Sequence, residues 1–266
     1  MLSGQIDIMS TVQAPELLGV FKAKKNLTVY SGSTNCEVTL GMNNARAPFN
    51  NKLVRQAVRQ AINKKNLIKT AWSGYGLEIG SFVPPTDPWY EDLSTLYPYD
   101  VNKSKALLKS AGYASGLTIN LDLPPIAYAT NSGEFIAASL AKVGIKVNLK
   151  PIAWGEWIDR VFTKKDYDMT IVCHIESNDM AIYANPAYYF GYNSTTYQGL
   201  IKKAASAKTQ EARVENLKKA ARLLANDSVS DWLWLIPNLQ VAKKTISGIP
   251  LNTVGDAYTV DRITVG

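Results

Sequence analysis

Apolar residues along this chain fall into two rhythms. Short alternating or continuous apolar runs predict strands at Leu27–Tyr30, Glu37–Met42, Leu117–Leu123, Ile145–Leu149 and Tyr167–Cys173. Between them, apolar positions recur at helical spacing. The longest such stretch runs from about Asn51 to Trp72, where Leu53, Val54, Ala57, Val58, Ala61, Ile62, Leu67 and Ile68 share a face. That reading leaves Arg55, Arg59 and Lys64 in water. Further helices are expected at Phe135–Val143, ended by Gly144, and at Trp154–Phe162, Leu200–Ser206 and Glu211–Asn226. The last has Val214, Leu217, Ala221 and Leu224 as its apolar set. Leu233–Ile236 and Leu239–Ala242 read as extended, and the tail from Pro250 as strand-like.

The segment Tyr99–Tyr113, YDVNKSKALLKSAGY, holds a whole helix with both its signals. Asp100 can cap the first turn. Ala106, Leu107 and Ala111 form the apolar stripe, Lys103, Lys105 and Lys109 the wet side, and Gly112 suits a left-handed stop. Before it, Gly74–Tyr99 is rich in Gly, Pro and aromatics. It reads as an ordered loop that wraps the surface and buries Phe82, Trp89 and Tyr90. Strands alternating with helices argue for an α/β sheet covered by helices. Ligands of such sheets sit beyond the carboxyl ends of strands, which points to the loops after Leu123 and after Cys173.

The 266 residues suffice for one large domain or two modest ones, and 46% hydrophobic content supports a real core. There is no run of eighteen apolar residues. MLSGQIDIMS lacks the basic and apolar regions of a signal peptide. The net charge of +7 is spread over helix faces, and neither KAKK at 22–25 nor NKK at 63–65 is interleaved with stacking aromatics. Nucleic acid is therefore not the expected partner.

Catalytic equipment is sparse. His174 is the single histidine, and neither a GxSxG elbow nor a GxxxxGK loop occurs. Gly74, Gly76 and Gly80 do not have dinucleotide-binding spacing. Asn26, Asn193 and Asn226 begin tripeptides of the glycosylation pattern. Cys36 and Cys173 are the two cysteines, far apart and without CxxC spacing. A disulfide between them is open in an oxidising compartment, but two buried thiols on strands are the expected state.

One constellation remains, at Cys173-His174-Ile175-Glu176-Ser177-Asn178-Asp179. Its donors suit a metal, although Cys173 and His174 diverge if the strand runs through them. The same residues also read as a capped strand end, or as a binding loop. In the last case Glu176 and Asp179 pair with a cationic group, Asn178 exchanges hydrogen bonds, and Tyr183, Tyr188, Tyr189 and Tyr192 wall the site or pack the core. An enzyme using Asp179 or Glu176 as general base is a further alternative.

Residue order adds to this pattern. YDVNKSKALLKSAGY closely resembles the YDPEKAKALLKEAGY-type segment of family 5 solute-binding proteins, the extracytoplasmic receptors of peptide and nickel ABC importers. LSGQIDI, then LGMNNARAPFNNKLVRQAVRQAINKKNLIKTAWSGYG, SFVPP and LAKVGIKVNLKPIAWGEWIDRVFTKKDYDM follow in the family's order. The resemblance implies the C-terminal lobe of a two-lobed, class II periplasmic-binding-protein-like α/β fold, a mixed sheet with flanking helices. Residues 1–35 would be a remnant of the first lobe and hinge approach, 36–236 the lobe, and 237–266 the hinge return and tail. The first lobe and export signal would be absent, and Met1 an engineered or misassigned start. Apolar surface meant for the other lobe would then favour weak self-association.

The implied function is binding without bond chemistry. A peptide or other small polar solute is gripped between lobes and delivered to a membrane permease, outside the cytoplasmic membrane and on a lipid anchor. No cofactor is implied. Implied ligand contacts are Tyr128 and Asn131 in a rim loop Pro124–Asn131, and His174, Glu176, Asn178, Asp179 and Tyr183. His174 stands where peptide-binding members have a tryptophan. Asp179 lies near their acidic position but is followed by Met180 rather than proline. A nickel-type metal-chelate receptor is the alternative.

Overall fold

Residues 1–175, 179–254 and 257–266 are described in this computed structural model, Asp179 by its backbone alone. In chain order the elements are β1 (Ile8–Met9), α1 (Leu18–Lys22), β2 (Leu27–Gly32), β3 (Glu37–Met42), α2 (Lys52–Ala61), α3 (Lys64–Ala71) and β4 (Leu77–Glu78). Next come α4 (Val101–Ser110), β5 (Leu117–Leu123), α5 (Ala127–Ala141), β6 (Ile145–Pro151), α6 (Trp154–Glu156) with its wider-wound continuation Trp157–Thr163, β7 (Met169–His174) and α7 (Asp179–Ile182). The chain ends with α8 (Thr195–Ala205), α9 (Gln210–Asp227), β8 (Ser230–Leu235), β9 (Asn238–Lys243), β10 (Ile246–Ser247) and β11 (Thr264–Val265).

Side-chain caps start α2, α3, α4, α8 and α9. The Asp100 carboxylate accepts from Lys103 N–H at 2.9 Å and starts α4. At its end Gly112 takes φ +91°, and the N–H groups of Gly112 and Tyr113 return to the carbonyls of Lys109 and Leu108. The buried face of α4 differs from the expected stripe. Ser104 and Leu108 face inward, with Ser104 Oγ donating to the Ala57 carbonyl, while Ala106 is exposed. The single helix expected over 51–72 is two, because Ile62 is extended and Asn63 caps a fresh start, accepting from Asn66 N–H at 3.0 Å. Helix α5 begins at Ala127, well before the expected Phe135. The rim loop Pro124–Asn131 is therefore largely its first turn. Ile126 stands at the cap position and carries no capping group, so no sequence signal marks that start.

Six strands form a mixed sheet in the order β4-β8-β3-β7-β5-β6. Strand β5 is parallel to β6 and β7, while β3 is antiparallel to β7 and β8. One face packs Leu40, Leu121 and Ile171 under α2, α3 and α5. The other packs Val172, Tyr189 and Trp232 under α8, α9 and an aromatic loop that includes Phe82. The β3–β8 register slips between Val38 and Thr39, so Leu233 has no partner across the ladder. A second, three-stranded sheet, β1-β9-β2, covers a small core of Val12, Leu18, Phe21 and Leu239. Residues 33–36 and 236–237 cross between the two sheets.

Two further expectations are corrected. Arg55, Arg59 and Lys64 are buried, not wet. Arg55 donates to the carbonyls of Phe49, Asp227 and Ser228, closing the end of α9. Arg59 and Lys64 approach the buried Asp231 carboxylate at 3.4 and 2.8 Å. Burial lowers the pKa of all three cations, with Asp227 opposing that shift for Arg55 and Asp231 for the other two. Cys36 and Cys173 are not two thiols. They form a disulfide with their Cα atoms 5.5 Å apart, because the antiparallel register of β3 and β7 brings the two strand ends together.

Candidate functional site

The parallel strands β5, β6 and β7 end on the same side of the large sheet, and a cleft of about 620 Å³ opens there against the small sheet. Its floor is the Cys36–Cys173 disulfide with Ile175 and Ile236. One wall is the first turn of α5, Ile126 to Tyr128, backed by Trp72. Trp154, the first residue of α6 just beyond β6, stands at the rim, 38% exposed and edge-on to Trp157 at 5.7 Å. The facing wall comes from Ser10, Thr11 and Gln13 beside β1, from Asn238 and from Tyr258.

Tyr128 is the best-positioned of the expected contacts. Its hydroxyl accepts from the Cys173 N–H at 3.0 Å, which couples the start of α5 to the end of β7. Burial pushes its phenol above the ordinary tyrosine range, the Cys173 bond opposing this, so it stays protonated and able to donate. Across the cleft, Tyr258 donates to Gln240 Oε1 at 2.9 Å, and the Asn238 and Gln240 amides hold the carbonyls of Leu251 and Pro250. These bonds fasten the tail to β9. None of the described residues lining the cleft carries a formal charge. Its chemistry is that of indole and phenol rings, hydroxyls and amides, which grip apolar and neutral polar groups.

The other expected contacts are scattered. Asn131 donates to the Ala71 carbonyl at 3.3 Å, between α5 and α3. His174 is buried on the face of β7 opposite Cys173, so the two side chains diverge as strand alternation requires. Its Nε2 lies 2.9 Å from the Tyr189 hydroxyl, in a ring cluster with Phe82 and Phe190. Tyr183 is also in the core, stacked on Phe190 at 4.8 Å and accepting from Trp232 Nε1. Glu176 and Asn178 lie outside the described residues, and so does the Asp179 side chain. Among the described residues no three His, Cys, Asp or Glu side chains gather as a metal site. Sequence reasoning missed Trp154, Trp72, Tyr258 and the disulfide. The carboxyl-end rule, applied to β6 as well as to β5 and β7, would have found Trp154.

A model of the bacterial extracellular solute-binding proteins, family 5 (middle), matches residues 1–199. Among curated proteins, heme-binding protein A of Haemophilus influenzae is 29% identical over 71% of this chain and 37% of its own length. The dipeptide-binding protein of Escherichia coli K12 is 29% identical over 84% of this chain and 43% of its own. The chain thus spans less than half the length of these relatives. Among solved structures, the periplasmic binding protein DppA of Helicobacter pylori, in complex with the peptide STSA, superposes with a TM-score of 0.88 at 23% identity. That match covers 99% of this chain and 53% of the other, and it shows a shared fold.

Proposed function

The chain belongs to the bacterial extracellular solute-binding proteins of family 5, and from that premise we propose that it binds a peptide or other small polar solute as part of an ABC importer's receptor. The observation that carries this reading is the ring-lined cleft at the carboxyl ends of β5, β6 and β7, open toward the small sheet, whose described lining residues carry no formal charge. Tyr128 and Trp154 are the proposed contacts on this side. Glu176, Asn178 and Asp179 follow Ile175, which lines the floor, and are proposed to meet the ligand's charged or polar end. Asn131, His174 and Tyr183 are assigned to holding that wall and the core behind it.

Residues 36–236 act as one lobe in this reading, while residues 1–35 and 237–266 serve the hinge and a companion lobe. The two crossovers between sheets support that division. Closure is driven by contacts the ligand makes only when the lobes meet. Delivery to a membrane permease follows, outside the cytoplasmic membrane, with a lipid anchor in the whole receptor. The mechanism forms and breaks no bond of the solute.

The test is recovery of co-purified solute from the full chain by native mass spectrometry, followed by calorimetric titration with the dipeptide Met-Leu and with tripeptides of neutral side chains. A saturable solute, lost in Trp154→Ala and Tyr128→Ala, is expected. Retention of the solute by both variants moves the site elsewhere, and binding of no peptide in the panel refutes the peptide reading.

A further inference from the structure

The two sheets are joined by residues 33–36, which lead from β2 into β3, and residues 236–237, which lead from β8 into β9. The crossovers run side by side. Ile236 N–H donates to the Cys36 carbonyl at 3.0 Å, and the Thr34 hydroxyl donates to the Ile236 carbonyl. The first crossover is also tied to the large sheet from a third direction. Cys36 is bonded to Cys173 near the end of β7, and Asn35 Nδ2 donates to the Ile175 carbonyl at 2.7 Å. Both cysteines are half-buried and line the cleft, so a small dithiol entering it meets their sulfurs.

We propose that the Cys36–Cys173 disulfide is a redox-sensitive lock on the hinge. Oxidised, it clamps the first crossover to the floor of the cleft, and movement of the small sheet against the large one pivots on residues 33–35 and 236–237. A dithiol releases the clamp. Its thiolate attacks one cysteine sulfur, the S–S bond breaks, and the second thiol of the reagent resolves the mixed disulfide. Two electrons and two protons pass to the cysteines, which become thiols, and the reagent leaves as a cyclic disulfide. The crossover is then held by hydrogen bonds, those of Asn35, Cys36 and Thr34 and those of Ser33 to Asn252 and Thr253 among them, and the small sheet gains freedom. This inference stands on the crossover geometry, whatever solute the cleft takes.

Amide hydrogen exchange of the full chain tests it, comparing the oxidised protein, the protein held in dithiothreitol, and a Cys36→Ser/Cys173→Ser variant. Exchange at residues 34–36, 236 and 238 should quicken on the order of tenfold in the last two states, while β5 and β6 quicken less. The variant should no longer respond to dithiothreitol. Equal quickening of the crossovers and of β5 and β6 would assign the bond to global stability and overturn the lock. So would unchanged exchange at the crossovers. If the double variant fails to fold, the comparison of oxidised and reduced wild-type protein decides alone.

Discussion

Lys64 Nζ lies 2.8 Å from Oδ1 of Asp231, and both side chains are shut away from water. The same ammonium donates to the carbonyls of Ile79 and Trp232. Arg59 completes the group, reaching the carbonyls of Ala225 and Gly80 and lying over the Trp232 ring at 5.3 Å. These charges join α2, α3, β8 and the loop after β4 at one point. Removing the carboxylate would leave two cations buried without a counter-charge. Asp231→Ala is expected to cost about 3–5 kcal/mol in urea denaturation, and a loss below about 1 kcal/mol would show that the cations find water instead.

Arg55 spans three carbonyls with one planar fork, which an ammonium cannot do. Arg55→Met is expected to lower stability by about 2–3 kcal/mol, read from thermal unfolding. Arg55→Lys should recover less than half of that loss. Full recovery by lysine would mean that charge alone, without the fork, closes the end of α9.

Asp122 gives a pH signature. It is buried in β5 against Arg160, and burial lifts its carboxyl above the ordinary value of 3.8 despite the arginine's pull. Between 3.8 and that raised value the folded chain binds more protons than the unfolded one. The stability linked to this group is whole below 3.8 and is lost as pH rises through the folded value. Asp122→Asn removes the titration. The variant should gain on wild type as pH is raised from about 3 to about 6, seen in urea midpoints taken across that range. A constant difference between the two proteins would contradict the shift.

Trp154 and Tyr128 should separate binding from folding. Trp154 is exposed enough that Trp154→Ala is expected to change stability by less than about 1 kcal/mol while weakening the proposed peptide binding about tenfold. Tyr128→Phe takes the acceptor from the Cys173 N–H and should cost about 1–2 kcal/mol of stability. Parallel calorimetry and denaturation of both variants give the comparison. If Trp154→Ala unfolds the chain as readily as Tyr128→Phe does, the rim indole is a packing residue.

What the sequence disclosed follows the range of the interactions concerned. Helix α4 was legible because Asp100 and Gly112, its start and stop, flank it directly. Strands β3, β5, β6 and β7 were legible because their apolar patterns are local, whereas β4 lies inside the stretch read as a loop and β8 begins at Ser230, before the expected Leu233. The burial of Arg59 and Lys64 was not, since the partner that makes it tolerable, Asp231, lies far along the chain and a helical wheel shows only lysine and arginine. The disulfide was equally hidden, because it depends on the register between β3 and β7. At the cleft, the carboxyl-end rule pointed to the segment after Leu123, where Tyr128 lies. Ser10, Gln13 and Tyr258 reach the cleft only through the topology of the small sheet, which carries both chain ends to one place. His174 and Tyr183 drew notice as chemistry-bearing residues, yet the alternation of β7 and a stacked ring put them in the core.

The unpartnered Leu233 in β8 has an effect beyond its own packing. With regular alternation Trp232 and Trp234 would share one face of the sheet; the register slip at Leu233 sends one indole into the core under α9 and the other into the core under α2. Two of the chain's six tryptophans, neighbours on one strand, therefore sit in opposite halves of its interior. Replacing one of these rings with phenylalanine and subtracting the variant's emission from that of the parent, which has six tryptophans, gives a separate record of when that ring's side of the molecule comes apart.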